Sequence, residues 1–229
     1  MILCFNITQI NLRYIFKLHQ FFFIKKKLEL LEKFSLKKEY KSLLRFHFKI
    51  ITKINQINLK NNFVLSALNL AFLGSYMVNQ VKIYKNLIHW PDGVFIKNLN
   101  LDIKKIPGRE ILEKIKLPKN ITKITVIGNL PPRSRDYLLK KFKRQIINKK
   151  LPFGNIQKIL KDFKYNISKN ELILLTLPTP KQEQIAEYLS KSNNNYKIIC
   201  IGGSINIASG IEKKVPKYLY QYEFIWRLR

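Results

Sequence analysis

Cysteine, histidine and acidic residues are all scarce in this 229-residue chain. The two cysteines, Cys4 and Cys200, stand far apart and have no spacing suited to a zinc site or a redox pair. That usage fits a reducing, cytoplasmic setting in which Cys200 packs rather than reacts. The three histidines (His19, His47, His89) do not cluster, and neither Asp-x-Asp nor His-Glu-x-x-His occurs. A metal cofactor is therefore not expected. No apolar run reaches the ~18 residues that a membrane-crossing helix needs. The apolar stretch 21–24 is too short, and Lys25, Lys26 and Lys27 follow it, the reverse of a secretory signal. Glycine and proline are missing altogether from residues 1–58.

What is abundant is positive charge. Lys and Arg number 43 against 14 acids, a formal net charge of +29. Such a balance implies a polyanionic neighbour: nucleic acid, an anionic membrane face or a phosphorylated ligand. The chain is also visibly rich in Lys, Asn and Ile throughout, so ordinary solvated surface accounts for part of the excess. A hydrophobic content of 46% excludes a disordered basic tail, and the length suffices for one α/β domain with an appendage.

Residues 1–58 alternate apolar side chains with lysines. Between 21 and 48 the apolar positions Leu28, Leu31, Phe34, Leu43 and Leu44 recur at roughly helical spacing. This predicts a basic, mostly helical lead-in, packed on the domain or lying on a membrane surface. From 59 to 229 the rhythm becomes strand–helix–strand. Strands are predicted at Phe63–Leu68, 87–90, Lys123–Ile127, 172–177 and 197–201. Helices are predicted at 71–80, 108–115, 134–147, 155–163 and 181–190. The alternation implies a Rossmann-like, mainly parallel sheet with helices on both faces.

Three predicted strands end in distinctive segments: Gly128-Asn129, Pro178-Thr179-Pro180 and Gly202-Gly203. In open parallel sheets ligands bind at the carboxyl ends of the strands, where glycine admits a phosphate close to the backbone. A fourth strand delivers Asp92 into the turn Trp90-Pro91-Asp92-Gly93. The set points to a nucleotide or sugar-phosphate cleft.

Four segments, in order, resemble one family: Ser66-Ala67-Leu68-Asn69, Trp90-Pro91-Asp92-Gly93, Pro180-Lys181-Gln182-Glu183, and Ile201-Gly202-Gly203 with Ser209-Gly210 and Pro216 behind it. Glu223, Trp226, Arg227 and Leu228 then complete an E-x-x-W-R-L ending. The pattern is similar to that of the TagA/WecG/CpsF glycosyltransferases (glycosyltransferase family 26) from about residue 63 onward. The resemblance implies a UDP-sugar-dependent inverting transferase of bacterial envelope polysaccharide synthesis. Its acceptor is a sugar linked to polyprenyl diphosphate, and its place is peripheral at the inner face of the cell membrane. It also implies no need of a divalent metal.

By the same resemblance Asp92 is the general base, Asn69 and Gln182 contact the substrate, and one of Lys105 or Arg109 serves the phosphates. From their place at the strand exits Gly128, Asn129, Gly202 and Gly203 line the cleft, and by the resemblance Arg227 and Arg229 begin a basic tail that meets lipid phosphates. Each residue also has a plain structural use. Asp in Pro-Asp-Gly forms turns, Asn69 can cap the following helix, and Glu183 can favour the start of its own. Ala67, Pro178 and Asn206 depart from the family's usual Thr, Gly and Asp. Two alternatives stand beside the transferase: a basic nucleic-acid-binding protein, although no recognised binding module is present, and a non-catalytic member of the family.

Overall fold

The computed structural model describes residues 48–93, 103–152 and 154–213. The chain divides into two compact units, Met1–Leu44 and Arg45–Arg229. The first lies outside the described residues, as do Pro216, Trp226, Arg227 and Arg229. In the second unit six strands form one sheet: β1 (Phe63–Leu68), β2 (Leu87–Pro91), β3 (Lys123–Ile127), β4 (Gln145–Lys149), β5 (Glu171–Leu175) and β6 (Lys197–Cys200). Every pairing is parallel, and the order is β2-β1-β6-β5-β3-β4. Among the described residues five helices lie between successive strands, α1 (Leu70–Met77), α2 (Gly108–Lys114), α3 (Pro132–Phe142), α4 (Ile156–Asp162) and α5 (Lys181–Ser192), and α6 (Ser204–Ala208) follows β6. The architecture is α/β and Rossmann-like, with helices on both faces.

The central strands are continuous apolar runs because they are covered on both sides. All six residues of β1 are buried. Its odd positions, Leu65 and Ala67, join a core with Trp90, Ile124, Val126, Leu174 and Ile199, covered by Ile111 and Leu112 of α2, Leu138 of α3 and Ile205 of α6. Its even positions face α1 and α5, which pack on β1 from the other side. Full burial of one Leu or Ile side chain contributes about 1.5–3 kcal/mol, so a sheet this thoroughly covered dominates the stability.

Residues 48–58, placed in the lead-in by sequence, belong with this unit. Ile50 bridges His89 in parallel, with bonds from Ile51 N to His89 O (2.8 Å) and from His89 N to Lys49 O (2.7 Å). They cover the open edge of β2, whose unpaired backbone would otherwise be exposed. A single 3₁₀ turn, Ile54–Gln56, follows.

The predicted helix over 134–147 is corrected. Helix α3 stops at Phe142 because Lys143 adopts a left-handed conformation (φ 52°, ψ 47°), and Gln145 to Lys149 then form the edge strand β4. Helix α6, with only five residues, has no counterpart among the predicted elements.

Strand order sets the candidate site. The chain steps from β1 to the β2 edge, crosses to β3 and β4, and fills the gap with β5 and β6. The last strand therefore lies beside the first. Helix α1 leaves β1 on one face, and α6 leaves β6 on the other, where it packs on α2 and α3. Neighbouring strands whose helices diverge open a crevice at their carboxyl ends.

Candidate active site

The exits of the consecutive strands β1 and β2 meet beside this crevice. The Asp92 N–H donates to Leu68 O at 3.2 Å, extending the β1–β2 ladder by one bond. The Asp92 Oδ1 accepts the Gly93 N–H at 2.8 Å, and Gly93 turns the chain with φ +84°. A side chain on Gly93 would lie 3.9 Å from the Asn69 Cβ, so the exits of β1 and β2 are in contact. The Asp92 side chain is half-buried.

The segment after the turn comes back to the same place. Ile106 N–H donates to Pro91 O at 2.7 Å, which sets half-buried Lys105 close to Asp92. Pro107 then precedes α2, where Gly108 packs so tightly on Ser204 that a Cβ would stand 2.3 Å from its hydroxyl. Arg109 follows, buried in the first turn of α2. Both candidate phosphate-side cations thus lie on the segment that returns to Pro91 beside the β2 exit. Lys105 is the more exposed of the two.

The β6 exit supplies backbone. Gly202 has φ +50° and donates its N–H to Leu175 O (3.0 Å) and to Gln182 Oε1 (3.1 Å). Gly203 is exposed, with nothing within 4 Å of where a Cβ would stand. Gln182 is itself buried. Its amide nitrogen donates to Thr179 Oγ1 (3.2 Å) and Glu183 Oε1 (3.0 Å), so both ends of the amide serve the protein.

Asn69 acts as an N-cap. Its Oδ1 accepts the Phe72 N–H at 2.9 Å and thereby starts α1. Asn69→Ala is expected to lower unfolding stability by about 1 kcal/mol, read as a shift in denaturant midpoint. Gly128 and Asn129 leave β3, four strands from β2 and two from β6, roughly 19 Å and 10 Å away by strand spacing. They are bound to β5, since the Thr176 hydroxyl donates to Asn129 O (2.8 Å) and fills the space a Gly128 side chain would need. Asn206, where the family pattern favours Asp, donates to Glu212 Oε1 at 3.2 Å. An Asp there would set two carboxylates together.

A buried polar cluster beneath the crevice was not read as a site from the sequence. Ser66 donates to Glu183 Oε1 at 2.8 Å, and Thr179 does so at 3.2 Å. Burial pushes the Glu183 carboxyl above its ordinary value, with the bonds from Ser66, Gln182 and Thr179 opposing. Burial, with the charge of Glu183, pushes the Cys200 thiol well up, so this free cysteine is inert packing. His89, aligned with Ser66 in the sheet, packs edge-on against Phe72 and Phe48 at ring separations of 4.5 and 5.4 Å. Burial lowers its pKa to about 3. The one sequence signal for this cluster was a lone Ser and a lone His inside apolar strands.

At the other end of the sheet Glu171 forms a separate network. It accepts bonds from Thr125 and Tyr165, from Ser168 and from Lys123 at 3.0 Å. Burial would raise its carboxyl, but those bonds together hold it below the ordinary value. Near that end, Lys119, Thr122, Leu139, Lys143, Arg144 and Gln145 line a shallow cleft of about 600 Å³.

Among the described residues, no group of three His, Cys, Asp or Glu comes together, and no helix is long and apolar enough to cross a membrane. The fold and crevice define an α/β protein with a Rossmann-like parallel sheet and a carboxyl-end site. Neither a scan against protein-family models nor a search of the curated proteins finds a match for this chain.

Proposed function

We propose that the chain is an inverting glycosyltransferase. In this reading it moves an N-acetylhexosamine or hexose from a UDP-sugar to a polyprenyl-diphosphate-linked sugar. The observation that carries the reading is the meeting, at one end of the sheet, of Asn69, Asp92 and the Gly202 turn. These residues belong to segments that resemble the TagA/WecG/CpsF pattern, and they converge because β6 lies beside β1.

Asp92 takes the proton from the acceptor hydroxyl as that oxygen attacks the anomeric carbon from the side opposite UDP. The bond to UDP breaks as the new glycosidic bond forms, and the configuration inverts. A positioned base contributes ~10²–10⁴-fold. Lys105 and Arg109 balance charge on the departing diphosphate, aided by backbone at the exposed Gly203. Work at the inner membrane face places the lipid-linked acceptor beside a strongly basic chain.

One observation favours a second reading. The cleft at the amino end of the sheet carries Lys119, Lys143 and Arg144 and no acid among its lining, which suits a nucleic-acid backbone. A transfer assay separates the readings. Labelled UDP-sugars are incubated with the protein and a polyprenyl-diphosphate-linked sugar, and the lipid fraction is counted. Label in the lipid supports the transferase. A null result across N-acetylhexosamine and hexose donors, with tight salt-sensitive RNA binding, favours the second reading.

A further inference from the structure

Glu183 sits in the first turn of α5 and is 2% exposed. Three donors from separate parts of the chain converge on its Oε1: the Ser66 hydroxyl of β1, the Thr179 hydroxyl of the loop after β5, and the Gln182 amide. Its Oε2, equally buried, has no partner. The carboxyl is thus placed for one job at one oxygen.

That job concerns the orientation of Gln182. With Nε2 turned toward Glu183 Oε1 and Thr179, the Gln182 Oε1 faces the Gly202 N–H at 3.1 Å. Turning the amide over would set NH₂ against the Gly202 N–H and oxygen against the Glu183 oxygen, so two hydrogen bonds would become two repulsions. An acceptor at Glu183 Oε1 therefore fixes which way the amide lies. Ser66 extends the link to β1, the strand between the Asp92 exit and the Gly202 exit.

We propose that Glu183 is a positioning residue for the crevice, holding the Gly202-Gly203 turn through Gln182 and joining it through Ser66 to the strand beside Asp92. The proposal rests on reading this end of the sheet as the substrate cleft, but the coupling to Gly202 stands on its own geometry. Only the acceptor oxygen is required, not the charge. Glu183→Gln can keep a carbonyl oxygen at the Oε1 position and an NH₂ at the unpartnered one. Glu183→Met keeps the bulk and loses the acceptor.

Amide exchange by NMR and affinity for UDP test this on the full chain. Glu183→Met is expected to cut the exchange protection of the Gly202 amide about fivefold, since the N–H loses its second acceptor but keeps its bond to Leu175 O, while amides of β1 and β5 keep theirs. UDP affinity falls about tenfold with it. Glu183→Gln restores both to within about twofold. Unchanged Gly202 protection in a folded Glu183→Met protein overturns the proposal, as does a Gln variant as impaired as the Met variant. Should Glu183→Met not fold, Gln182→Met removes the relay itself and is expected to give the same loss of Gly202 protection, with no loss overturning the proposal. If the unaltered protein does not bind UDP, the cleft reading fails, while the exchange result still decides the role of Glu183.

Discussion

Asp92→Asn is expected to lower sugar transfer by ~10²–10⁴-fold while leaving UDP affinity within a few fold. Asn keeps the size and the oxygen that accepts the Gly93 N–H, so the turn survives. What it loses is the ability to take a proton. The expected signature is a fall in kcat with little change in the KM for the UDP-sugar. Single-turnover assays with labelled donor measure the first, and titration with UDP measures binding. An unchanged kcat would remove Asp92 from its role as base.

The second large effect is on stability and arises at His89. Its pKa is about 3 in the fold, against an ordinary 6.5, because burial opposes the charged ring. Between those values the unfolded chain binds a proton that the folded chain does not. The contribution to stability is thus fully present above pH 6.5 and is lost as pH falls toward 3. From pH 7 to pH 5 the loss from this residue is about 2 kcal/mol. Glu183 works in the opposite sense, since its raised pKa makes stability fall as pH rises through the window above 4.5. Comparison with a variant isolates His89. In His89→Phe, with an aromatic ring retained between Phe48 and Phe72, the difference in unfolding free energy between pH 7 and pH 5 shrinks by about 2 kcal/mol. Chemical denaturation at the two pH values measures it, and an equal pH dependence in both proteins would show that His89 charges within the fold.

The legible parts of the sequence were those where local pattern and tertiary burial agree. Phe63–Leu68 and Lys123–Ile127 are apolar runs bounded by polar residues, and both form strands over those residues. Strand β4 was illegible because Lys143 ends α3 in a left-handed conformation without the Gly that usually signals one. It also offers only one buried residue, Ile146, to reveal a core-facing side. At the crevice, turn chemistry made Asp92 and the Gly202 exit visible. Asn69 carried two readings, and the structure gives its oxygen to the helix cap. Ser66 and Glu183 are 117 residues apart, and no local pattern encodes that bond. Gln182 carried a resemblance to a substrate contact, yet its amide closes on Thr179, Glu183 and Gly202.

The central claim is that the carboxyl ends of β1, β2 and β6 hold a UDP-sugar. A thermal-shift screen of UDP, UDP-N-acetylhexosamines and UDP-hexoses against the intact chain tests it most directly, since a ligand that binds only the folded state raises its apparent stability by mass action. The account predicts a concentration-dependent rise in Tm with UDP, a larger one with one class of UDP-sugar, and an unchanged response when Lys143 and Arg144 at the opposite end of the sheet are both replaced by Ala. No shift with any uridine diphosphate at millimolar concentration, alongside a clear shift with RNA that is lost in the same Lys143 and Arg144 double variant, would contradict it.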